Sequence, residues 1–289
     1  MELSDKNLYY VGGVVRDEIL GTKSFDVDLC YEGNAIEYAK NKNLNIIKEN
    51  PAFGTVRVLI DGKEVDIAST RCETYPRKGH LPKVENIGCS LKEDLIRRDF
   101  TVNAMAKRST DGEIIDFFGG ADDIRAKKLK VLHKNSFKDD PTRIIRGLKF
   151  SVRFGFELEE STRKLQEEYL GNINYDMSFH RVKKELIETF NLNKKEAYKK
   201  FVAQNIYKLL GENQTIPDLD IDLAEKILGE NKTEYTWLIW LSGFDLSNLE
   251  LTRAEKRILE WANKLEEQDV SNNTPFESIL IHKIRRGVN

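Results

Sequence analysis

At 289 residues, with 40% hydrophobic, 9% aromatic and 33% charged content, the chain is long enough to bury at least one sizeable core and too apolar to stay disordered. Six prolines and no internal repeat argue against long unstructured linkers. The net charge of −2 signals no global affinity for nucleic acid, but residues 136–210 carry 15 Lys and Arg against 11 Asp and Glu, residues 211–289 carry 9 against 15, and residues 1–135 balance at 22 against 22, so a basic middle suited to phosphates lies between neutral and acidic ends.

From the amino terminus, Leu8 to Val11 reads as a short buried strand, Gly12-Gly13 as a turn and Val14 to Leu20 as a helix. A glycine turn opening a helix leaves backbone N–H groups free to receive a triphosphate, supported by the helix dipole and by Arg16, although alone such a turn is more often structural. Phe25 to Tyr31 alternates apolar and acidic residues as a strand does, so Asp26 and Asp28 project from one face toward a common point. Two carboxylates so close repel unless a cation sits between them, and Mg²⁺ is commonly held by one or two carboxylates plus substrate phosphates. An isolated pair of this kind is more often an acidic strand edge. Beside the glycine turn it supplies the second half of a nucleotide–metal site.

Ala35 to Lys42 reads as a helix, and Thr55 to Ile60 with Lys63 to Ile67 flank Asp61-Gly62, a strong hairpin signal. On the second of these strands Asp66 is a candidate third carboxylate, taking either the proton from an attacking hydroxyl or the metal for it; the plainer alternative is a surface aspartate. Glu73 to Ser90 has little periodicity and two prolines and two glycines, and reads as a loop. Leu91 to Ala106 reads as a helix entering a strand, with Glu113 to Phe118 a further strand. Within it, Arg97-Arg98-Asp99 and the following residues to Asn103 are dense in groups that bind phosphate oxygens and sugar hydroxyls.

After about residue 136 the strand signals fade. Asp140 to Phe154, Glu159 to Leu170, Ser178 to Phe190 and Lys194 to Leu210 show helical spacing with charged outer faces, and Leu223 to Leu265 continues as helices joined by short turns. The expected fold is α+β: a head over residues 1–135 with a small mixed sheet flanked by helices, then an all-helical neck over 136–210 and body over 211–289. Asp139-Asp140 puts acids at the positive end of a helix, which is good capping in itself. Asp140 and Arg143 are also neighbours on one helical face. A carboxylate can accept from the exocyclic amine of cytosine or adenine while a guanidinium donates to the adjacent ring nitrogen; uracil and guanine present the reverse pattern. Such a pair admits C and A without a template strand.

The three cysteines, Cys30, Cys72 and Cys89, are odd in number and lack metal-type spacing, which favours reduced thiols in a cytosolic compartment. With neither a signal sequence nor a membrane-length apolar run, a cytoplasmic protein that meets no membrane is expected. Trp237, Trp240 and Trp261 are expected in the helical core rather than as base-stacking platforms, and His80 and Arg285-Arg286 as solvated groups.

Taken in order, GGVVRD, FDVDL, RRDFTVNAMA, IDFFGGADDI and DDPTRIIRGLKFSVRFGF resemble the class II tRNA CCA nucleotidyltransferase and poly(A) polymerase family of the DNA polymerase beta superfamily, continuously from about residue 8 to 170 and diffusely beyond. The resemblance implies a nucleotidyltransferase head in which Asp26 and Asp28 ligate Mg²⁺ and Gly13 and Arg16 contact the incoming nucleotide. It implies triphosphate and ribose binding by Arg97 with Asp99 and Asn103, base recognition by Asp140 and Arg143, and Arg146 and Lys149 beside the nucleotide. The family usually has Arg where this chain has Lys149, and Glu where it has Asp139. The implied activity is template-independent addition of C, C and A to the tRNA 3′ end from CTP and ATP, with tRNA as the partner and no protein partner. A-only addition, CC-only addition and poly(A) tailing are the near alternatives. CC-adding members resemble versions with a shortened loop between the first two motifs, so the Glu73 to Ser90 segment points away from CC-only addition. An inactive RNA-binding module and a nucleotide second-messenger synthetase are more remote. Related enzymes are often longer, which implies a reduced body here, and no HD-type phosphohydrolase signature follows the neck.

Overall fold

Leu8–Val11 form β1, and Gly12 turns the chain with a φ of 72° into α1 (Gly13–Ile19). The computed structural model describes residues 3–24, 27–265 and 270–288, so Asp26 lies outside the described residues. There follow β2 (Asp28–Tyr31), α2 (Ala35–Asn41), β3 (Asn45–Asn50), β4 (Thr55–Ile60) and β5 (Lys63–Ser69). Asp61 and Gly62 between the last two have φ of 49° and 78°, the left-handed pair a two-residue hairpin turn requires. The chain continues through β6 (Arg71–Thr74), β7 (Lys83–Ile87), α3 (Leu91–Ile96), β8 (Ala106–Arg108), β9 (Ile114–Ile115), α4 (Gly120–Arg125), β10 (Lys128–Leu129) and α5 (Ser136–Asp139). Then come α6 (Thr142–Phe154), β11 (Glu157–Leu158), α7 (Glu160–Gly171), α8 (Phe179–Phe190), α9 (Lys195–Ala203), α10 (Ile221–Glu230), α11 (Thr236–Leu241), α12 (Arg253–Lys264) and α13 (Phe276–Arg286).

The protein is α+β and divides into two compact units, residues 1–139 with 157–163, and residues 140–156 with 164–289. The first is built on a seven-stranded mixed sheet of order β3-β4-β5-β2-β1-β8-β9, in which β2 and β5 run parallel. Strand alternation sends Leu8, Leu29, Val56, Val58 and Ile67 to one face, where they pack on Ile36, Tyr38 and Ala39 of α2. Tyr9, Val11 and Cys30 point the other way, onto Leu91 and Leu95 of α3. With apolar cover on both faces, the central strands read as nearly unbroken hydrophobic runs. Asp28 and Asp66 share the second face with Cys30 and Ala68, their neighbours two residues along.

Several local expectations change. The segment from Glu73 to Ser90 contains a hairpin, β6 against β7, with a register shift between Cys72 and Glu73. Long-range packing, not local periodicity, makes these residues strands. Asn45–Asn50, unassigned from the sequence, is the edge strand β3, largely exposed and lacking an apolar alternation. The helix expected from Leu91 ends at Ile96, because the RRD segment leaves it for a single 3₁₀ turn at Thr101–Asn103. The strand expected over residues 113–118 is only two residues long. The helix from Lys195 stops at Ala203, where left-handed Asn205 turns it into a 3₁₀ segment.

In the second unit α6 packs on α8 and α9. Trp237 and Trp240 are core residues, the latter donating its indole N–H to Asn193. Trp261 is only half-buried, under the Lys264 ammonium. Among the described residues no helix is long and apolar enough to cross a membrane.

Candidate functional site

Register builds the first half of the site. Lys48 of β3 pairs with Arg57 of β4, Arg57 with Asp66 of β5, and Asp66 with Asp28 of β2, so four charged residues form one row across four neighbouring strands. The row lines a cleft of about 390 Å³ together with Val11, Asn50, Thr55 and Arg98. Arg57 grips Asp66 with both arms of its guanidinium, Nε to Oδ1 at 2.7 Å and Nη2 to Oδ2 at 2.8 Å. These bonds hold the Asp66 carboxyl below its usual range. Asp66 is therefore an anion at neutral pH and a weak proton acceptor. Its chemistry suits a hard cation better than a proton.

The glycine turn meets this cleft through Arg98. A Cβ on Gly12 would lie 3.1 Å from Arg98 Nη1, and the φ of 72° disfavours any side chain there. Arg98 is steered by Asp94, which is fully buried and also takes Arg97 and the backbone N–H of Arg71. Burial alone would raise the Asp94 carboxyl, but Arg98 and Arg97 outweigh it and hold the group below its ordinary value. Sequence reasoning singled out Arg97, yet the guanidinium of Arg97 is turned to Asp94 and Glu73. Arg98 is the arginine that reaches the cleft. Its buried Nε has no hydrogen-bond partner among the described residues.

Arg16, expected at the nucleotide, is 5% exposed and ties the head together internally. Its Nε and Nη2 donate to Asp17 Oδ1, and its Nη1 donates to Asn103 Oδ1 at 2.6 Å. Asn103 Nδ2 in turn donates to Asp99 Oδ1, which also accepts the Phe100 N–H. Arg16, Asn103 and Asp99 are thus one buried network under the turn, and a Cβ on Gly13 would sit 3.4 Å from Arg16 Nη2. In this structure the Asn103 amide and Asp99 Oδ1, expected at the ribose, bond within the protein.

The other expected site residues lie in the second unit. Pro141 is the N-cap of α6, and the preceding Asp140 bonds to its first residue: Oδ1 accepts from the N–H and hydroxyl of Thr142 at 3.1 and 2.6 Å. Oδ2 accepts from Arg181 of α8 at 2.5 Å. Arg143 is 3% exposed in the first turn of α6. Farther along, Arg146 bonds to Glu185, and Lys149 bonds to Glu185 at 2.8 Å and Glu188 at 2.6 Å. Arg146 and Lys149, expected beside the nucleotide, thus pair with carboxylates of α8 in this structure. Arg181 and Glu185 escaped the sequence reading because their partners are 41 and at least 36 residues away. Asp94 could have been found, since it stands three and four residues before Arg97 and Arg98, which follow α3 directly.

Residues 8–130 match the family model for the poly(A) polymerase head domain. Over those residues the chain carries a poly(A) polymerase head domain. The chain is 38% identical to the A-adding tRNA nucleotidyltransferase of Aquifex aeolicus, over 87% of this chain and 32% of that protein. It is 33% identical to the CCA-adding enzyme of Bacillus pumilus, over 76% of this chain and 58% of that one. The apo form II structure of a CCA-adding enzyme superposes with a TM-score of 0.80 at 28% identity, covering 96% of this chain and 75% of the other. The chain spans about a third of the A. aeolicus relative's length.

Proposed function

We propose that this protein is a nucleotidyltransferase that completes the CCA end of tRNA from CTP and ATP, without a template and with Mg²⁺. The observation that carries this reading is the pairing of Asp28 with Asp66 in one cleft beside Arg98. In the reaction, the 3′-hydroxyl oxygen of the RNA bonds to the α-phosphorus of the nucleotide, the bond to the β-phosphate oxygen breaks, and pyrophosphate leaves with the hydroxyl proton released to solvent.

Asp28, with Asp26 beside it in sequence, offers the hard oxygen donors that Mg²⁺ takes, and Asp66 adds another on the facing strand. When bound there, Mg²⁺ supplies charge stabilisation on the phosphoryl group and lowers the pKa of the attacking hydroxyl. Arg98 is assigned to phosphate oxygens, and the Gly12-Gly13 turn to backbone contact with the triphosphate. Arg16, Asn103 and Asp99 hold that turn in shape, and Arg97 holds Asp94. Asp140 and Arg143 are assigned to the base edge, with Arg181 orienting the Asp140 carboxylate. Arg146 and Lys149 are assigned to fixing α6 on α8. Most of the rate enhancement would come from positioning and preorganised charge.

A second reading is addition of A alone, the activity named for the A. aeolicus relative, which aligns over 87% of this chain. The deciding assay uses three tRNA transcripts, lacking CCA, lacking CA and lacking only A, each incubated with CTP or ATP separately. Addition to all three supports CCA completion; activity confined to ATP on the transcript lacking A supports the second reading. No incorporation into any transcript, with pyrophosphate release absent, overturns both. Chelation by EDTA is expected to stop incorporation, and added Mg²⁺ to restore it.

A further inference from the structure

Cys72 and Cys89 are far apart in sequence, and their spacing matches no metal motif. The β6–β7 hairpin nevertheless closes them onto each other. Cys72 sits on β6 at the register shift, an irregularity that re-aims a side chain. Cys89 follows β7 directly, after Gly88, whose φ of 84° turns the strand. Cys72 is held by its pairing with Asn86 of β7, and Cys89 by the residue between β5 and β6: Gly88 N–H donates to the Thr70 carbonyl at 2.7 Å, and the Thr70 hydroxyl donates to the Cys89 carbonyl at 2.6 Å. Glu93 approaches from the first turn of α3, where it closes a capping box with Ser90. One ligand atom from each of Cys72, Cys89 and Glu93 lies within 4.8 Å of the other two, and among the described residues this is the cluster of three such groups.

We propose that Cys72, Cys89 and Glu93 form a binding site for a thiophilic divalent cation of the Zn²⁺ class, separate from the Asp28–Asp66 cleft. Two thiols and a carboxylate are a borderline-soft donor set that suits Zn²⁺ and disfavours Mg²⁺ and Ca²⁺. A tetrahedral zinc with Zn–S bonds of about 2.3 Å needs ligand atoms about 3.7 Å apart, so a contraction of about 1 Å suffices. Side-chain rotation supplies that while the backbone stays pinned. The fourth position is left to water, since both thiols are partly exposed and Glu93 is exposed. A bound ion ties the ends of the hairpin to the helix whose Asp94 steers Arg98.

The test titrates the reduced full chain with Co²⁺ alone. The expected result is a thiolate-to-cobalt charge-transfer band that saturates at one equivalent and is bleached by Zn²⁺. Cys72→Ser and Cys89→Ser each abolish the band. Cys30→Ser leaves it intact, because Cys30 is buried beneath the sheet. Glu93→Gln weakens the apparent affinity by about tenfold or more while keeping the capping box, which accepts Gln. Alkylation of wild-type protein read by mass spectrometry supplies an arm that needs no variant: Zn²⁺ should protect Cys72 and Cys89 together. The proposal is overturned by no band at excess Co²⁺, by a band that survives either serine variant, by a Glu93→Gln titration matching wild type, or by alkylation unaffected by Zn²⁺.

Discussion

Asp28 and Asp66 stand opposite each other as register partners in the parallel pairing of β2 with β5. Arg57 grips Asp66 with both arms of its guanidinium, and in the proposed reading Asp28 and Asp66 together hold the cation. Asp28→Asn keeps the strand's size and shape and removes the charge. It is expected to lower nucleotide incorporation into tRNA on the order of a thousandfold with an unchanged far-UV circular dichroism spectrum. Near-normal incorporation by folded Asp28→Asn protein would sink the cation assignment.

Arg97 and Arg98 share Asp94 but serve different ends. Arg97→Ala removes the partner of both Asp94 and Glu73 and should act mainly on stability. Arg98→Ala should act mainly on nucleotide binding, raising KM for ATP by about tenfold or more, the loss of one charge-assisted phosphate contact. Steady-state kinetics beside urea unfolding separate the two. If Arg97→Ala shows the larger KM effect and Arg98→Ala the larger loss of stability, the assignments must be exchanged.

Asp94 gives a pH-dependent signature. Its folded-state pKa is depressed, so the stability it contributes is present above the ordinary value of 3.8 and is lost as pH falls through the folded value. Asp94→Ala removes the buried carboxylate that two partly buried guanidinium groups share, a loss of about 3 kcal/mol at neutral pH. Urea midpoints measured from pH 7 downward should show the gap between wild type and variant narrowing below about pH 4. A gap that stays constant down to acid denaturation would show that Asp94 acts through packing rather than charge.

Gly12→Ala combines two faults, a φ of 72° and a Cβ 3.1 Å from Arg98 Nη1. The backbone alone should cost about 1–3 kcal/mol, and the displaced guanidinium should raise KM for the nucleotide as well. Gly155, whose φ is 70° and whose Cβ would meet nothing within 4 Å, is the control. Gly155→Ala should lower Tm without touching KM. Equal KM values in the two variants would remove Arg98 from the turn's function.

The base-reading assignment separates two parts of α6. Arg143→Met should reduce kcat/KM for ATP and CTP by about 10–100-fold, the 1–3 kcal/mol of a bidentate base contact, and narrow the preference over UTP and GTP. Lys149→Met should leave that preference intact, because Lys149 is already committed to Glu185 and Glu188. Misincorporation measured with each nucleotide singly checks both. Unchanged selectivity in Arg143→Met would move base recognition elsewhere.

Local spacing made much of this protein readable. Strand periodicity located β1, β4 and β5, and the Asp61-Gly62 pair located their hairpin, because a left-handed two-residue turn is written in two adjacent residues. Helical periodicity located α6, α7 and α8 to within about two residues. The same short-range rule exposed Asp28 and Asp66 as acids on strands and Asp140 as the residue before α6. Position in the fold was another matter. That Asp66 faces Asp28 follows from β5 inserting beside β2, a parallel register no stretch of neighbouring residues encodes. Which of two adjacent arginines reaches the cleft was decided by where buried Asp94 stands and by the missing Cβ of Gly12. The partners of Asp140 and Lys149 come from α8, and the meeting of Cys72 with Cys89 comes from a hairpin that reads as a loop. Side chains close in sequence are placed by backbone geometry, which periodicity reveals; side chains far apart are placed by register and packing, which appear only when the chain closes on itself.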